Sequence, residues 1–257
     1  MFSPTFNDPG GFNLPDHEIH VWYLPTCASD SSQMAQWLRL LDEDERRRRA
    51  LFLNEKAKFE YLLAHAFVRT TLARYLDASP KSLRFQKNRY GRPELVAANH
   101  QPSLRFNLSH CDGLTACALA WRREIGIDVE NASQAPIAEE VARSHFAAPE
   151  FEDYLSLPTA ESRHARFLEY WTLKEAYLKA RGTGLALPLD KFSCRWSEPD
   201  KIRLTIDPAL RDDGATWQLR LLRSAPEFVA AIAARVETAE PIRIVEMVAK
   251  LEECGAG

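Results

Sequence analysis

Apolar residues along the chain follow two spacings, and their alternation predicts a mixture of helices and strands. Between residues 55 and 77 they recur at positions 59, 62, 63, 66, 67 and 70, which lie on one face of a helix. Further helices are predicted over 31–53, 136–146, 148–157 and 161–181. The first of these is interrupted near Asp42, because the sequence "DEDE" provides a cap and an acidic first turn.

Strands are predicted where short apolar or alternating runs lie between turn residues. They cover 18–24, the runs "LRFNLSH", "LTACALAW" and "EIGIDVE", and segments near 190–196, 201–206, 215–222 and 227–235. A turn, "YGRP", joins the extended "SPKSLRF" to a short strand, "ELVA". Helices followed by an antiparallel meander occur twice, so we expect an α+β fold of two halves that meet near residues 120–135. The predicted division is a flexible N-terminal arm (1–17), an N-terminal half (18–125), a C-terminal half (126–249) and a fraying tail (250–257).

Composition excludes several classes of protein. The 257 residues carry 33 basic and 36 acidic side chains, a net charge of −3, which does not favour a general nucleic-acid binder. No apolar run approaches the roughly 18 residues of a membrane span, and the N-terminus lacks the order of a signal peptide. Five cysteines, an odd number without CxxC spacing, argue against disulfides or zinc and for a cytoplasmic protein with reduced thiols.

The segment "GIDVE", residues 126–130, carries two acids two positions apart. On a strand such residues project from the same face, so Asp128 and Glu130 point together while Ile127 and Val129 face the core. Gly126 allows another backbone or a ligand to approach. Paired carboxylates without His or Cys suit Mg²⁺. The alternative is an ordinary edge strand with a solvated acidic face.

The segment "WTLKEAYLKARGTGL", residues 171–185, places Glu175 and Lys179 one helical turn apart. The simple alternative is a surface ion pair of small energetic value. The "GTG" that follows ends the helix and lacks the third glycine of a dinucleotide-binding fingerprint.

In "FNLSH", residues 106–110, Ser109 and His110 are neighbours on a strand and therefore point to opposite faces. This geometry disfavours a nucleophile–base pair, although His110 could bind an anion, take a proton or simply end a strand. Two basic stretches, "RRRR" (46–49) and "KNRYGRPEL" (87–95), could bind phosphate or form solvated surface.

Together and in this order, the basic helix, "YGRPEL", "FNLSH", "GIDVE", "HFAAPEFEDY", "WTLKEAYLKARGTGL" and "LPLDKFSCRW" resemble the Sfp-type 4′-phosphopantetheinyl transferases. The resemblance covers roughly residues 40–196. It implies a pseudo-duplicated fold with the active site in the cleft between two α+β halves. It also implies transfer of 4′-phosphopantetheine from coenzyme A to a serine of an apo carrier protein, leaving adenosine 3′,5′-bisphosphate.

The resemblance also implies the site residues. Mg²⁺, or Mn²⁺ as a substitute, would be held by Asp128, Glu130 and Glu175. The implied catalytic residues are Glu175 as general base, directly or through a metal-bound water, with Lys179, Asp128 and His110; His110 is the alternative base. Coenzyme A, the co-substrate, would be bound by these implied contacts: Arg48, Lys87, Asn88, Arg89, Tyr90, Gly91, Arg92, Asn107, Leu108, Ser109, His110, Asp128, Glu175 and Lys179. Lys174 points about 100° away from Glu175 and could be structural or face a partner.

The implied partners are apo acyl or peptidyl carrier proteins, whose acceptor serine lies beside an acidic helix, with no nucleic acid and no membrane. The two-half length resembles the monomeric type, a pseudo-dimer. In the basic region the 3′-phosphate contacts are incomplete, because Glu60 and Tyr61 stand where some relatives are basic. Alternatives are a non-catalytic carrier-binding module, a Mg²⁺-dependent phosphohydrolase or nucleotidyl enzyme, and a serine hydrolase using Ser109 and His110.

Overall fold

The computed structural model describes residues 12–26, 33–96, 104–135, 137, 139–184, 187–198, 201–222, 227–236 and 242–250. Within them the helices are α1 Met34–Leu40, α2 Glu43–Ala50, α3 Glu55–Leu76, α4 Glu139–His145, α5 Ala148–Ser156 and α6 Ala160–Arg181. The strands are β1 Glu18–Pro25, β2 Phe85–Lys87, β3 Pro93–Leu95, β4 Leu104–Cys111, β5 Leu114–Trp121, β6 Ile125–Asn131, β7 Phe192–Glu198, β8 Lys201–Ile206, β9 Trp217–Leu222, β10 Phe228–Arg235 and β11 Arg243–Val248.

The strands form two main sheets and one small hairpin. The first sheet has the order β11-β1-β5-β4 and the second β6-β10-β9-β8-β7, while β2 pairs with β3. All pairings are antiparallel except that of β11 with β1, which is parallel. The predicted α+β fold of two halves is confirmed, with β4 and β6 as edge strands of the two main sheets.

The core consists of three apolar layers. Strand β1 lies between two of these layers. Its residue Trp22 packs towards α3, and the neighbouring Val21 packs between the two main sheets. On the far side of the second sheet, α6 buries its apolar face, including Leu173, against β9 and β10. The sequence of layers is therefore helix, sheet, sheet, helix. Strands β1, β5, β6 and β10 are buried on both faces, whereas alternate residues of β8, including Lys201 and Arg203, are exposed.

Local sequence signals explain where the helices begin and end. The predicted break near Asp42 is confirmed, because its side chain accepts from Glu45 N while Glu45 Oε2 accepts from Asp42 N, both at 2.9 Å. Thr159 caps α6 through a bond from Ser162 N at 3.1 Å. That helix ends at Gly182, whose φ of +62° belongs to the left-handed region.

Strand β11 was not predicted from the sequence. It belongs to the segment expected in the C-terminal half, yet it completes the sheet of the first half beside β1. Arg243 Nη1 donates to Glu18 Oε1 and Tyr23 OH donates to Glu246 Oε2, each at 2.9 Å. The second half thus contributes a strand to the sheet of the first half. This pairing joins distant parts of the chain, so a local hydrophobic pattern does not reveal it.

The predicted flexible arm is wrong for its described residues, 12–17. Leu14 is only 5 % exposed, and the Phe12 ring lies 5.2 Å from that of Trp22 in an edge-to-face contact. The beginning of the described chain therefore packs on the first core. Residues 1–11 and most of the predicted tail lie outside the described ranges. Among the described helices, none is both long enough and apolar enough to cross a membrane.

Candidate active site

Helix α6 lies directly on strand β6, and a glycine makes this approach possible. A Cβ atom on Gly126 would lie 2.1 Å from Ala176 O and 2.3 Å from Ala180 N. Such distances are far inside van der Waals contact, so only glycine fits. The close approach predicted at Gly126 is therefore that of another backbone. It brings the acids of β6 next to the side chains of α6.

Asp128 is the buried centre of this region. As predicted, Ile127 and Val129 lie in the core between the sheets, and Asp128 projects from the opposite face. Lys179 Nζ donates to Asp128 Oδ1 at 2.6 Å, and Ser109 Oγ donates to the same oxygen at 3.0 Å. Burial raises the pKa of Asp128, while the Lys179 ammonium and the Ser109 hydroxyl oppose that rise.

Glu130 and Glu175 complete a group of three interacting carboxylates. Burial, followed by the charges of Asp128 and Glu130, raises the pKa of Glu175. Burial and the charge of Asp128 likewise raise the pKa of Glu130, whose Oε2 accepts from Gln134 Nε2 at 3.0 Å. The three predicted metal ligands therefore repel one another electrostatically, as carboxylates that share a site do.

Asp128, Glu130 and Glu175 offer carboxylate oxygens, the type of ligand that a hard divalent cation prefers. Asp128 Oδ2 is buried without a hydrogen-bond partner, and a carboxylate oxygen in that condition is normally paired. Oxygen ligands from carboxylates suit Mg²⁺, and a cation would relieve their mutual repulsion. Across the described ranges, however, no three Asp, Glu, His or Cys side chains are gathered as a complete ligand set. The residues fit the ion in chemistry, since all three are carboxylates that interact electrostatically with one another.

Ser109 and His110 are separated as their strand positions predict. Ser109 is 4 % exposed and bonds to Asp128, whereas His110 is exposed at the end of β4. His110 lines an open polar groove together with Lys56, Glu60 and Asp112. The alternation removes the geometric basis for a serine hydrolase that uses these two residues.

Three predicted coenzyme A contacts, Arg48, Lys87 and Leu108, line one cleft of about 540 Å³ in the first half. The cleft lies between α2, α3, β4 and the β2–β3 hairpin, and Leu108 forms part of its wall. Tyr61 stacks on His65 in the same wall, with ring centroids 4.0 Å apart. The cleft therefore combines two exposed cationic side chains and aromatic surface with three acids, Asp42, Asp44 and Glu45. Its aromatic and apolar walls suit the base of a nucleotide, and only the part next to Arg48 and Lys87 suits a phosphate.

The turn of the hairpin is attached to the C-terminal end of α6. Asn88 Nδ2 donates to Gly182 O at 3.0 Å, and Arg92 Nη1 donates to Ala180 O at 2.8 Å. Arg92 Nη2 also donates to Glu94 Oε1 at 2.8 Å. Arg92 thus stabilises the helix end, as cations do.

At the tip of the turn, Gly91 adopts a φ of +89°, which explains the glycine. Tyr90 is 44 % exposed and lies under the Arg89 guanidinium, 4.7 Å from it. These tip residues remain open to a ligand.

The sequence did not reveal a second acid–lysine pair behind the site. Lys174 and Glu150 are both 0 % exposed, and Lys174 Nζ lies 2.7 Å from Glu150 Oε2. Lys174 also donates to the carbonyls of Leu189 at 2.8 Å and Phe192 at 2.5 Å. Of the two roles considered for Lys174, the structural one is observed. Nothing in the pattern "HFAAPEFEDY" distinguishes Glu150 from an exposed acid. In the structure, Glu150 Oε2 accepts a hydrogen bond from Ala147 N at 2.9 Å.

Two side chains near Glu175 and Glu130 were also not assigned from sequence. His145 lies close enough for its charge to favour the ionised form of Glu175. Its ring meets that of Trp171 edge to face, with centroids 5.8 Å apart. Trp171 itself forms a hydrogen bond with Glu130. A histidine near the end of the predicted helix 136–146 gave no sequence signal, because its neighbours in space, Trp171 and Glu175, lie 26 and 30 residues further along the chain.

The two halves and their shared acidic site match one known group of proteins. The description "4′-phosphopantetheinyl transferase superfamily" matches residues 124–233, and "4′-phosphopantetheinyl transferase, N-terminal" matches residues 27–121. Together the two matches include every site residue discussed above. The chain belongs to the 4′-phosphopantetheinyl transferase family, and its fold is the pseudo-duplicated α+β fold expected from the resemblance.

Two individual relatives, HetI and Sfp, agree with this assignment. The chain is 32% identical over 225 residues to 4′-phosphopantetheinyl transferase HetI of Nostoc sp., covering 88% of this chain and 91% of the relative. It is 28% identical over 171 residues to 4′-phosphopantetheinyl transferase Sfp of Bacillus subtilis, covering 66% and 73%. Among solved structures, holo-[acyl-carrier-protein] synthase of Thermotoga maritima is 21% identical with a TM-score of 0.36, covering 45% of this chain and 64% of that one.

Proposed function

We propose that the protein transfers the 4′-phosphopantetheine group of coenzyme A to a serine of an apo carrier protein. The serine oxygen would form a bond to the β-phosphorus, the bridging phosphorus–oxygen bond would break, and adenosine 3′,5′-bisphosphate would leave. The observation that carries this proposal is the buried Asp128 carboxylate, with one unpartnered oxygen, beside Lys179 and Glu175 in a chain of this family. Phosphoryl transfer depends on such positioning and charge stabilisation.

Mg²⁺ belongs to this proposal, with Asp128, Glu130 and Glu175 as its protein ligands and Mn²⁺ as a substitute. When bound, the ion would neutralise charge on the pyrophosphate oxygens. The unpartnered Asp128 Oδ2 and the raised pKa values of all three acids support this assignment.

Glu175 is the proposed general base for the carrier serine. A pKa raised by burial and by neighbouring carboxylates makes Glu175 a better proton acceptor than an exposed glutamate. Lys179, which is 28 % exposed at its side chain, can reach both Asp128 and a ligand phosphate. Its ammonium would stabilise the charge that develops as the bridging bond breaks.

Coenzyme A is proposed to occupy the cleft of Arg48 and Lys87 and to extend along the end of β4. The aromatic walls of that cleft and its two cations support a nucleotide, and the exposed His110 at the end of β4 is available to a phosphate. Arg89, Tyr90 and Gly91 at the hairpin tip would bracket the adenine. Asn88 and Arg92 would act chiefly by holding that tip against α6.

The finer assignments are likewise proposals. They are activity of the holo-[acyl-carrier-protein] synthase type, acyl or peptidyl carrier proteins with an acidic helix beside the acceptor serine, a monomeric state and a cytoplasmic location. The free thiols of the described cysteines, Cys111, Cys117 and Cys194, are compatible with a reducing compartment.

The test is incubation of the protein with coenzyme A, Mg²⁺ and a panel of apo acyl and peptidyl carrier domains. Intact-mass spectrometry of each carrier and chromatography of the nucleotide are then compared. We expect one added phosphopantetheine per carrier and an equal amount of adenosine 3′,5′-bisphosphate. Release of the nucleotide without a gain in carrier mass would indicate a phosphohydrolase instead, and no change in either across the panel would refute the proposal.

A further inference from the structure

The two halves meet where two edge strands, β4 and β6, lie side by side without a backbone ladder. Side chains of β4 take the place of that ladder. Asn107 Oδ1 accepts from Ile127 N at 2.8 Å, and Ser109 Oγ accepts from Val129 N at 3.3 Å. Because residues two apart share a face of a strand, these two side chains contact two amides of β6 that are also two apart.

Ser109 differs from Asn107 in what else it touches. Its hydroxyl accepts from Lys179 Nζ at 2.7 Å and donates to Asp128 Oδ1 at 3.0 Å. A serine hydroxyl has one hydrogen to donate and two lone pairs. The Ser109 hydroxyl donates its hydrogen bond to Asp128, and its two lone pairs accept from Val129 N and Lys179 Nζ. The hydrogen-bonding capacity of a group that is 4 % exposed is therefore fully used within the protein.

This arrangement fixes the orientation of the Asp128 carboxylate. Oδ1 receives both Ser109 and Lys179, whereas Oδ2 is buried without a hydrogen-bond partner. A carboxyl group held through one oxygen presents the other in a defined direction. The hydroxyl at the same time fixes the Lys179 ammonium, so one side chain of the first half orients two groups of the second.

We propose that Ser109 is a positioning residue, whose side chain aligns Asp128 and Lys179 across the junction of the halves. This inference rests on the proposed function, and it makes alignment, more than contact with coenzyme A, the main task of the Ser109 side chain. It predicts that Ser109 affects cation binding and turnover more than affinity for coenzyme A.

The first experiment measures Mn²⁺ binding, by titration calorimetry and by electron paramagnetic resonance, to the full-length protein without coenzyme A. Ser109→Ala should weaken binding roughly 10- to 100-fold, as loss of a side chain that orients a metal ligand generally does. Asn107→Ala is the matched control for this measurement, because it removes the equivalent bond to β6 without touching Asp128 or Lys179. It should lower stability by a similar amount and leave Mn²⁺ affinity within about threefold. Equal loss of Mn²⁺ affinity in both variants would mean that Ser109 only holds β4 against β6, and it would overturn the proposal.

The second experiment separates kcat from KM in the transfer assay. Ser109→Ala should lower kcat roughly 10- to 100-fold with KM for coenzyme A changed less than about threefold. Ser109→Thr, which retains the hydroxyl, should recover most of the lost turnover. A rise in KM with unchanged kcat would make Ser109 a coenzyme A ligand and overturn the proposal. If the wild type does not modify any carrier, the proposed function itself fails, whereas an active wild type with an unaffected Ser109→Ala refutes this inference alone.

Discussion

Helix α6 contributes the lysine to two lysine–carboxylate pairs, which differ in how completely their hydrogen bonds are satisfied. In the pair of Lys174 and Glu150 both residues are fully buried. Lys174 also donates hydrogen bonds to two backbone carbonyls, and Glu150 accepts hydrogen bonds from the backbone N–H groups of Ala147 and Cys194. In the pair of Lys179 and Asp128, the lysine is partly exposed and one carboxylate oxygen has no partner.

The difference shows that burial alone does not identify a functional charge. A saturated pair has no capacity left for a ligand and stabilises the structure around it. An unsaturated pair retains a strong acceptor and a partly exposed cation, which is what a reaction involving phosphate requires. Five residues along one helix therefore separate a structural lysine from a proposed catalytic one.

The largest effect is expected from the unsaturated site. Glu175→Ala should lower the transfer rate by about 10²- to 10⁴-fold, because it removes the proposed base and one proposed metal ligand. Asp128→Asn should have a loss of the same order. Rates of carrier modification under saturating coenzyme A provide the measurement, with circular dichroism to verify folding. A fully active Glu175→Ala would contradict the assigned role.

The saturated pair should respond in stability. Lys174→Met leaves Glu150 buried without its cation and should cost about 3–5 kcal/mol of unfolding free energy. Glu150→Leu combined with Lys174→Met removes both charges and should recover much of that loss. Urea denaturation of the single and double variants measures both values. A double variant that remains as unstable as the single one would mean that the pair does more than balance its own charges.

A smaller effect concerns the dependence of stability on pH. The pKa of Glu175 is raised above its ordinary 4.5, so the unfolded chain releases this proton more readily than the folded protein does. The ionised group therefore destabilises the fold at neutral pH, and the penalty disappears as the pH falls below the unfolded value. Glu175→Gln should accordingly be more stable than the wild type at neutral pH, and the difference should shrink towards pH 4.5. Equal stability at both pH values would show that Glu175 is not under electrostatic strain.

The smallest effect is expected at the hairpin that holds the end of α6. Asn88→Ala removes the bond to Gly182 O and should cost about 1 kcal/mol. The midpoint of urea unfolding, at an unchanged m-value, measures this loss. A loss as large as that of Lys174→Met would show that the helix end, and not the Lys174 pair, is the main anchor of α6.

The sequence predicted what depends on local spacing. Apolar periodicity identified α3, the cap at Asp42 marked the start of α2, and the "GTG" sequence marked the end of α6. Strand alternation placed Asp128 and Glu130 on one face and separated Ser109 from His110. Long-range relations were not predictable. Nothing in the sequence of residues 243–248 indicates that they pair in parallel with β1. The sequence around Glu150 likewise gives no sign that this acid is buried. The hydrogen bonds of Ser109 join three segments, so their combination exists only in the folded chain.

The most direct test of the difference between the two pairs is a single measurement of carrier mass. The wild type, the Glu150→Leu/Lys174→Met double variant and Asp128→Asn would each be incubated with coenzyme A, Mg²⁺ and one apo carrier under conditions where all three are folded. We expect the wild type and the double variant to convert the carrier fully to the phosphopantetheinylated mass, while Asp128→Asn leaves it unmodified. Conversion by Asp128→Asn, or its loss in a folded double variant, would contradict the division into a catalytic and a structural pair.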